Sequence, residues 1–342
     1  MRPLPIHNPP NPWESRFTDY LGDPPSLGLT VYEDQSKGVL TENHSPDLGF
    51  RWSLNPYRGC YHGCAYCYAR PSHQYWGFGA GSDFERRIMV KPDAPELLRQ
   101  AFERPSWKGE LVLVSGNTDS YQPLEASYEL TRRCLKVMAE YRNPVHIITK
   151  APLVERDLDL LLELRKVTQV GVSISIPFWD AEHARALEPG VATPQRRMLT
   201  VRRLSQAGIY VTVNVAPVIP ALSDRDIPHI LEAAAEAGAR SASLIMLRLP
   251  GCVKEIFTER LRRAQPLAAD KVLARIREMR GGELNDPRFF DRMRGQGHYA
   301  EAIGRVFETT AARLGLAERR PESLSPTPFR RPGRGGQLRL FE

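Results

Sequence analysis

The sequence predicts an α/β fold, a partial (βα)6 TIM-like barrel with an irregular N-terminal arm and helices after it. Three observations predict it. Short β-branched runs alternate with amphipathic stretches through the middle of the chain, and this alternation implies parallel strands joined by helical crossovers. Crossovers of that kind are right-handed and curl the sheet toward a barrel. Several amphipathic stretches stop on helix-ending pairs such as Ala207-Gly208 and Ala237-Gly238.

Residues 1–50 are rich in Pro, Gly and Asn with weak periodicity, so an irregular arm is expected there. Barrel strands are expected at 51–55, 111–115, 145–149, 170–176, 210–215 and 242–248, with helices at 94–103, 124–141, 153–165, 194–207 and 225–237. The barrel should therefore occupy 51–263. A helical segment follows over 264–316, with helices at 267–280 and 299–314 flanking the Gly-rich Asp291-Arg-Met-Arg-Gly-Gln-Gly-His298. Residues 317–342 are Pro/Ser-rich and then basic, the composition of a disordered tail.

Six units are too few to close an eight-fold barrel. In parallel βα barrels the chemistry sits at the C-terminal strand ends, and the first strand runs at once into Cys60-Tyr-His-Gly-Cys64-Ala-Tyr-Cys67. Iron–sulfur cubanes are normally held by four thiolates. This run offers three, leaving one iron open to another ligand. A zinc site of Cys60, Cys64 and Cys67 with His62 or His73 is the alternative, although zinc ligands usually come as two separated pairs. Cys134 and Cys252 are the other cysteines. Neither is placed to be a fourth ligand, Cys134 falling mid-helix and Cys252 in a turn at a helix start.

The C-x3-C-x2-C spacing with the aromatic Tyr66 before its last cysteine resembles the radical SAM superfamily. The resemblance implies a [4Fe-4S] cluster on Cys60, Cys64 and Cys67, S-adenosyl-L-methionine on the open iron, and a 5′-deoxyadenosyl radical released by an electron from an unidentified reductant. It also implies a barrel of six units and a cofactor gripped by the strand tips. Ser115, Asn117 and Asp119 on the second tip would hold the methionine amino group, and Lys150 on the third its carboxylate. Ser173 and Ser175 would face the ribose, with Asn214 beside them. The competing readings are a solvated strand cap for Lys150 and filling of a narrow barrel interior for the serines.

Within the superfamily the similarity is to the spore photoproduct lyase-like branch. It rests on Tyr66 and Tyr68 around the last cysteine, Thr118-Asp119, Ile148-Thr-Lys150, Ser173-Ile-Ser175, Glu188, Thr193-Pro194 and Arg196. The branch implies DNA as partner and Tyr66 and Tyr68 as hydrogen-atom relays. The second tip, Ser115-Gly-Asn-Thr-Asp119, lacks the cysteine donor of the lyase, so authentic spore photoproduct reversal is not expected. Cys252 is the candidate replacement, its thiol pKa expected to be lowered by a helix N-terminus. Packing in a turn is its competing reading.

The net charge of +7 and the arginine content suit nucleic acid without proving it. Five cysteines, three clustered, and no apolar run of membrane length fit a cytoplasmic protein with no membrane partner. The final Gln337-Leu-Arg-Leu-Phe341 is similar to peptides that dock on the bacterial sliding clamp, the alternative being a last strand folded back on the body. Two rival functions stay open: a radical SAM enzyme acting on a protein or small metabolite, and a clamp-associated DNA-binding protein with a non-catalytic cluster.

Overall fold

Each run expected to be a barrel strand forms one. The computed structural model describes residues 7–14, 28–317 and 327–332. In chain order the strands are β1 (Thr30–Glu33), β2 (Leu40–Glu42), β3 (Trp52–Leu54), β4 (Tyr57–Arg58), β5 (Arg87–Val90), β6 (Val112–Val114), β7 (Val145–Thr149), β8 (Val170–Ser175), β9 (Tyr210–Val218) and β10 (Ser241–Met246). One sheet runs β10-β9-β8-β7-β6-β3-β2, and all its pairs are parallel except β2–β3. The six barrel strands thus lie side by side in chain order.

Register decides what each face carries, because directly paired residues share a face. Val112, Val114, Val145, Ile147, Val172, Ile174, Val211 and Val213 join the main core with Leu98, Phe102, Leu135, Leu161, Leu204 and Ile230 of the surrounding helices. The opposite face is polar. His146 pairs with Gly171, Ser173 with Ile148 and Thr212, Ser175 with Asn214, and Asn214 with Ser243. These side chains bond one another: His146 Nε2 and Ser173 Oγ lie 2.7 Å apart, and Ser243 Oγ donates to Asn214 Oδ1 at 2.8 Å.

The arm is less irregular than its composition suggests. β2 adds an antiparallel edge to β3, and β1 pairs with β5 in a second sheet of order β1-β5-β4. The expected helix over 124–141 is broken at Glu129 (φ +52°) into Glu125–Tyr128 and Leu130–Glu140. The buried Glu125 carboxylate accepts from the backbone N–H groups of Thr131 (3.0 Å) and Arg132 (3.2 Å), so it starts the second helix where periodicity alone would run straight through. Likewise the helix expected at 153–165 opens as a 3-10 turn (Pro152–Asp157) before Leu158–Val167. Helices Ala181–Leu187 and Val253–Ala264 complete the surround.

Two long-range contacts tie the chain ends to the barrel. Asp47, in the β2–β3 connection, accepts from Arg292 Nε at 2.6 Å and Nη2 at 2.5 Å, and from the Phe290 N–H at 3.1 Å. It joins the first-strand edge to the segment packed beside β10. At the rear, where chains enter β6 and β7, residues 327–332 are docked rather than free. Phe329 packs on Phe102 and Tyr141, and Arg331 donates to the carbonyls of Phe102 (3.0 Å), Arg104 (2.6 Å) and Trp107 (3.1 Å). Gly109, at φ +73°, admits this contact, since a Cβ there would lie 2.2 Å from that of Phe329. Residues 337–341 lie outside the described residues. Among the described residues, no helix is long and apolar enough to cross a membrane.

Candidate active site

The connection after β4 carries Cys60, Cys64 and Cys67, all free thiols. Fully buried Arg70 laces this loop. It donates from Nε to the Cys64 carbonyl (3.0 Å), from Nη2 to the Gly63 carbonyl (3.2 Å) and Glu85 Oε1 (2.6 Å), and from Nη1 to the carbonyls of Ala80 (2.8 Å) and Gly81 (3.0 Å). Gly63 adopts φ +64°, and a Cβ on it would press to 3.1 Å from the Glu85 carboxyl carbon. The turn therefore needs both the glycine and the arginine. Burial, then Glu188 and the neighbouring thiols, keep the Cys64 pKa high, whereas at Cys60 burial is opposed by His62, which brings that thiol below its ordinary value. Cys134 lies in the core of Leu130–Glu140 and Cys252 faces Gln74 Oε1 at 3.6 Å, so neither joins them.

The second strand tip is fastened to the same loop. Thr118 Oγ1 donates to the Gly59 carbonyl at 2.6 Å, and Gln122 bonds the Gly59 carbonyl (3.2 Å) and the Tyr61 N–H (2.9 Å). Ser115 takes φ +79° and its Oγ accepts from the Ser120 N–H at 3.0 Å. Asn117 donates to Ser72 Oγ at 3.0 Å. Asp119 accepts from Tyr121 N–H (2.9 Å), Thr149 Oγ1 (2.7 Å) and Lys150 N–H (2.8 Å), and faces His62 Nδ1 at 3.4 Å. It therefore clamps the second and third strand tips together beside Cys60. Burial opposes its ionisation, but His62, the Lys150 N–H and the Thr149 hydroxyl together pull its pKa down to about 2. Burial likewise opposes charge on His62, yet Cys60 and Asp119 push its pKa up to about 10.

The remaining sequence candidates separate into two settings. Lys150 leaves the third tip with its Nζ 5.8 Å from the centre of the Tyr66 ring. Ser173, Ser175 and Asn214 line the polar face of the sheet. Tyr66 is buried with its hydroxyl on Glu188, which also takes Arg197 Nη2 at 2.6 Å, while Arg197 Nη1 reaches the Ser175 carbonyl at 2.8 Å. Tyr68 is different: it is 51% exposed, bonds the Gly116 carbonyl through its hydroxyl, and lies under the Arg248 guanidinium, 5.5 Å from its ring centre. It spans the mouth from the cysteine loop to the second and sixth strand ends. Cys252 departs from expectation. Burial, with Glu255 nearby, raises its thiol pKa to about 11 instead of lowering it, and it packs on Ala80 and Ile256. A helix N-terminus does not overcome that desolvation.

Sequence reading missed the groups that hold the loop: Arg70, Glu85, Arg197 and Arg248. Only Arg70 carried a signal, three residues past the last cysteine. His62, weighed as a zinc ligand, instead bridges Cys60 and Asp119. Beyond the loop the rim is aromatic and cationic. Trp13 and Tyr75 are exposed with ring centres 5.4 Å apart, and Arg58 sits 4.5 Å over the exposed Trp76.

The family model of the radical SAM superfamily matches residues 54–234. An uncharacterized protein of Mycobacterium tuberculosis is 36% identical over 271 residues, 78% of each chain. The radical SAM Nalpha-GlyT isomerase of Pseudomonas phage M6 is 26% identical over 210 residues, 60% of this chain and 42% of the isomerase. A single-residue variant of spore photoproduct lyase shares the fold, with a TM-score of 0.60 at 15% identity over 87% of this chain and 86% of its own. Spore photoproduct lyase complexed with dinucleoside spore photoproduct gives 0.59 at 16% identity, over 84% of this chain and 79% of its own.

Proposed function

The chain belongs to the radical SAM superfamily, and from that premise we propose that it is an enzyme abstracting hydrogen from a nucleic-acid base or lesion. Bound to such an enzyme, the [4Fe-4S] cluster and S-adenosylmethionine supply a 5′-deoxyadenosyl radical once a reductant provides an electron. In this reading Cys60, Cys64 and Cys67 hold the cluster. Asp119 fixes the second and third strand tips, while Ser115, Asn117 and Lys150 receive the methionine end. Ser173, Ser175 and Asn214 give the nucleoside end a polar bed. Tyr68, at the exposed mouth, is the group that hands a hydrogen atom to the product side, with Tyr66 buried behind it. Cys252, protonated and turned toward Gln74, is the weaker candidate for that task.

The observation that carries the nucleic-acid reading is the mouth itself. An exposed tyrosine lies beneath a guanidinium, and Trp13, Tyr75 and Trp76 stand outside it with Arg58. Aromatic faces interleaved with arginine suit unstacked bases, and a chain charge of +7 favours phosphate. The likeness in fold to a lyase complexed with a dinucleoside photoproduct supports it. The absence of a cysteine from residues 115–119 argues for a lesion or base other than spore photoproduct.

The test is 5′-deoxyadenosine release by reconstituted, reduced enzyme with no nucleic acid, undamaged DNA or ultraviolet-irradiated DNA. The reading expects release to rise when one of the DNA samples is added. Release that ignores both would redirect the search to a protein or metabolite. No release with an intact cluster would favour a binding protein.

A clamp tether is part of the same proposal. The docked Phe329 and Arg331 start the last stretch of chain at the barrel rear, away from the cysteine mouth. A clamp held there would leave the mouth open to substrate. Removing residues 337–342 should abolish co-purification with the clamp and leave adenosylmethionine cleavage intact; binding that survives the deletion sinks this part.

A further inference from the structure

Beside the sixth strand stands an apolar tip that the reaction does not use. Phe289 is 50% and Phe290 58% exposed, and Pro287 and Arg288 next to them are exposed as well. Burial of such rings is the rule, so two adjacent ones in water mark an interaction surface. Phe290 is also strained, at φ +68° and ψ −51°, a region that a bulky L-residue rarely enters.

The strain is held from below. Asp47 accepts the Phe290 N–H at 3.1 Å and takes Arg292 at both oxygens. Buried Arg280 donates to the carbonyls of Asp291 (2.7 Å) and Arg292 (3.0 Å) and to that of Leu247 (2.8 Å), the residue after β10. Leu249 N–H bonds Asn285 Oδ1 at 3.1 Å. The base of the tip is therefore built into the C-terminal end of β10, and Arg248 there covers Tyr68. A rigid pedestal lifts two phenylalanines beside the catalytic mouth. Cations flank them: Arg292 lies 4.7 Å from the Phe289 ring centre, and Arg288 and Arg294 are exposed.

Resting on the nucleic-acid reading above, we propose that Phe289 and Phe290 form a wedge that enters a base step of duplex DNA and turns the neighbouring base toward Tyr68. A base inside a duplex cannot reach the barrel interior, so an enzyme acting on it must extrude it. Apolar side chains inserted between base steps are a known physical means of unstacking. Arg292 is bound to Asp47 and Arg288 leans on Asp286, so exposed Arg294 is the arginine placed for a phosphate flanking the opened step. With the chain charge of +7 it favours duplex DNA over an apolar protein surface as the occupant.

Reconstituted enzyme is titrated against a duplex carrying 2-aminopurine next to a central T·T mismatch, and against the 2-aminopurine strand alone. The wild-type protein should brighten 2-aminopurine in the duplex on binding. F289A/F290A, substituted at exposed positions, should lose that brightening and on the order of tenfold in duplex affinity. Its single-strand affinity, followed by anisotropy, should stay within about twofold, as should its visible cluster absorbance. Unchanged duplex brightening and affinity in the variant would overturn the wedge while sparing the nucleic-acid reading. Failure of the wild-type protein to bind either DNA would overturn both.

Discussion

Arg70 and Arg280 play comparable parts in two loops at the barrel mouth. Each is a buried arginine that stitches a loop together through backbone carbonyls, Arg70 through four and Arg280 through three. They differ in how the charge is answered. Arg70 has a buried carboxylate of its own, Glu85 at 2.6 Å. Arg280 has only carbonyl dipoles, because nearby Asp286 is bound to Arg288 at 2.6 Å. Burial, partly offset by Asp286, therefore pulls the Arg280 pKa below its ordinary value. A buried ion pair punishes any displacement that separates it, while carbonyls on a loop near water can be replaced by solvent. The two loops are thus braced differently: Arg70 answers its own buried carboxylate, whereas Arg280 meets carbonyls and leaves the ion pairing of its loop to Arg292 and Asp47.

The largest effect should come from Arg70→Met. It strips buried Glu85 of its ion-pair partner at 2.6 Å, with Arg260 the remaining nearby cation. The expected loss, about 3–5 kcal/mol, is read by chemical denaturation together with iron per chain after reconstitution. Full iron content in a destabilised protein would mean that Arg70 serves the fold but not the cluster loop. Asp119→Asn comes next. It keeps the size of the side chain but weakens the clamp between the strand tips and His62, and should cost about 10–100-fold in adenosylmethionine cleavage. An unchanged rate would remove Asp119 from the site.

Arg280→Met should cost less, about 1–3 kcal/mol for carbonyls left unmet, with iron content unchanged. A loss as large as that of Arg70→Met would erase the contrast between the two loops. The smallest effect is with pH. Arg292, bonded to both oxygens, holds the Asp47 pKa below the ordinary aspartate value of 3.8. A carboxylate with a depressed folded pKa stabilises above its unfolded pKa and loses that contribution as pH falls through the folded value. Amide protection of residues 289–292 should therefore hold down to pH 3.8 and decline below it, whereas D47N should lack it throughout. Protection that fades between pH 6 and 5 would point to a histidine instead.

Much of this was legible in the residues. All six barrel strands come at their expected places because β-branched runs buried on one face carry a strong pattern, as in Val170–Ser175. The cysteine spacing pointed to the family for the same reason: its motif is local in sequence. The braces were not legible. Arg70–Glu85, Arg197–Glu188 and Arg292–Asp47 join residues far apart in the chain, and nothing local distinguishes a buried arginine from a solvated one. The helix break at Glu129 was hidden because its cause, the Glu125 carboxylate, acts through folded geometry. The packing of Cys252 in its turn was one of its two readings, but its raised thiol pKa was not legible, because desolvation depends on packing that a motif does not record.

The central claim is that hydrogen leaves a nucleic acid at the mouth beside Tyr68. Its most direct test uses reduced, reconstituted enzyme with ultraviolet-irradiated DNA deuterated in its bases and sugars, followed by mass spectrometry of the 5′-deoxyadenosine released. The account predicts deuterium in that product, and none when unlabelled DNA is used. Ready release of 5′-deoxyadenosine without deuterium, in the presence of labelled DNA that the enzyme demonstrably binds, would contradict it.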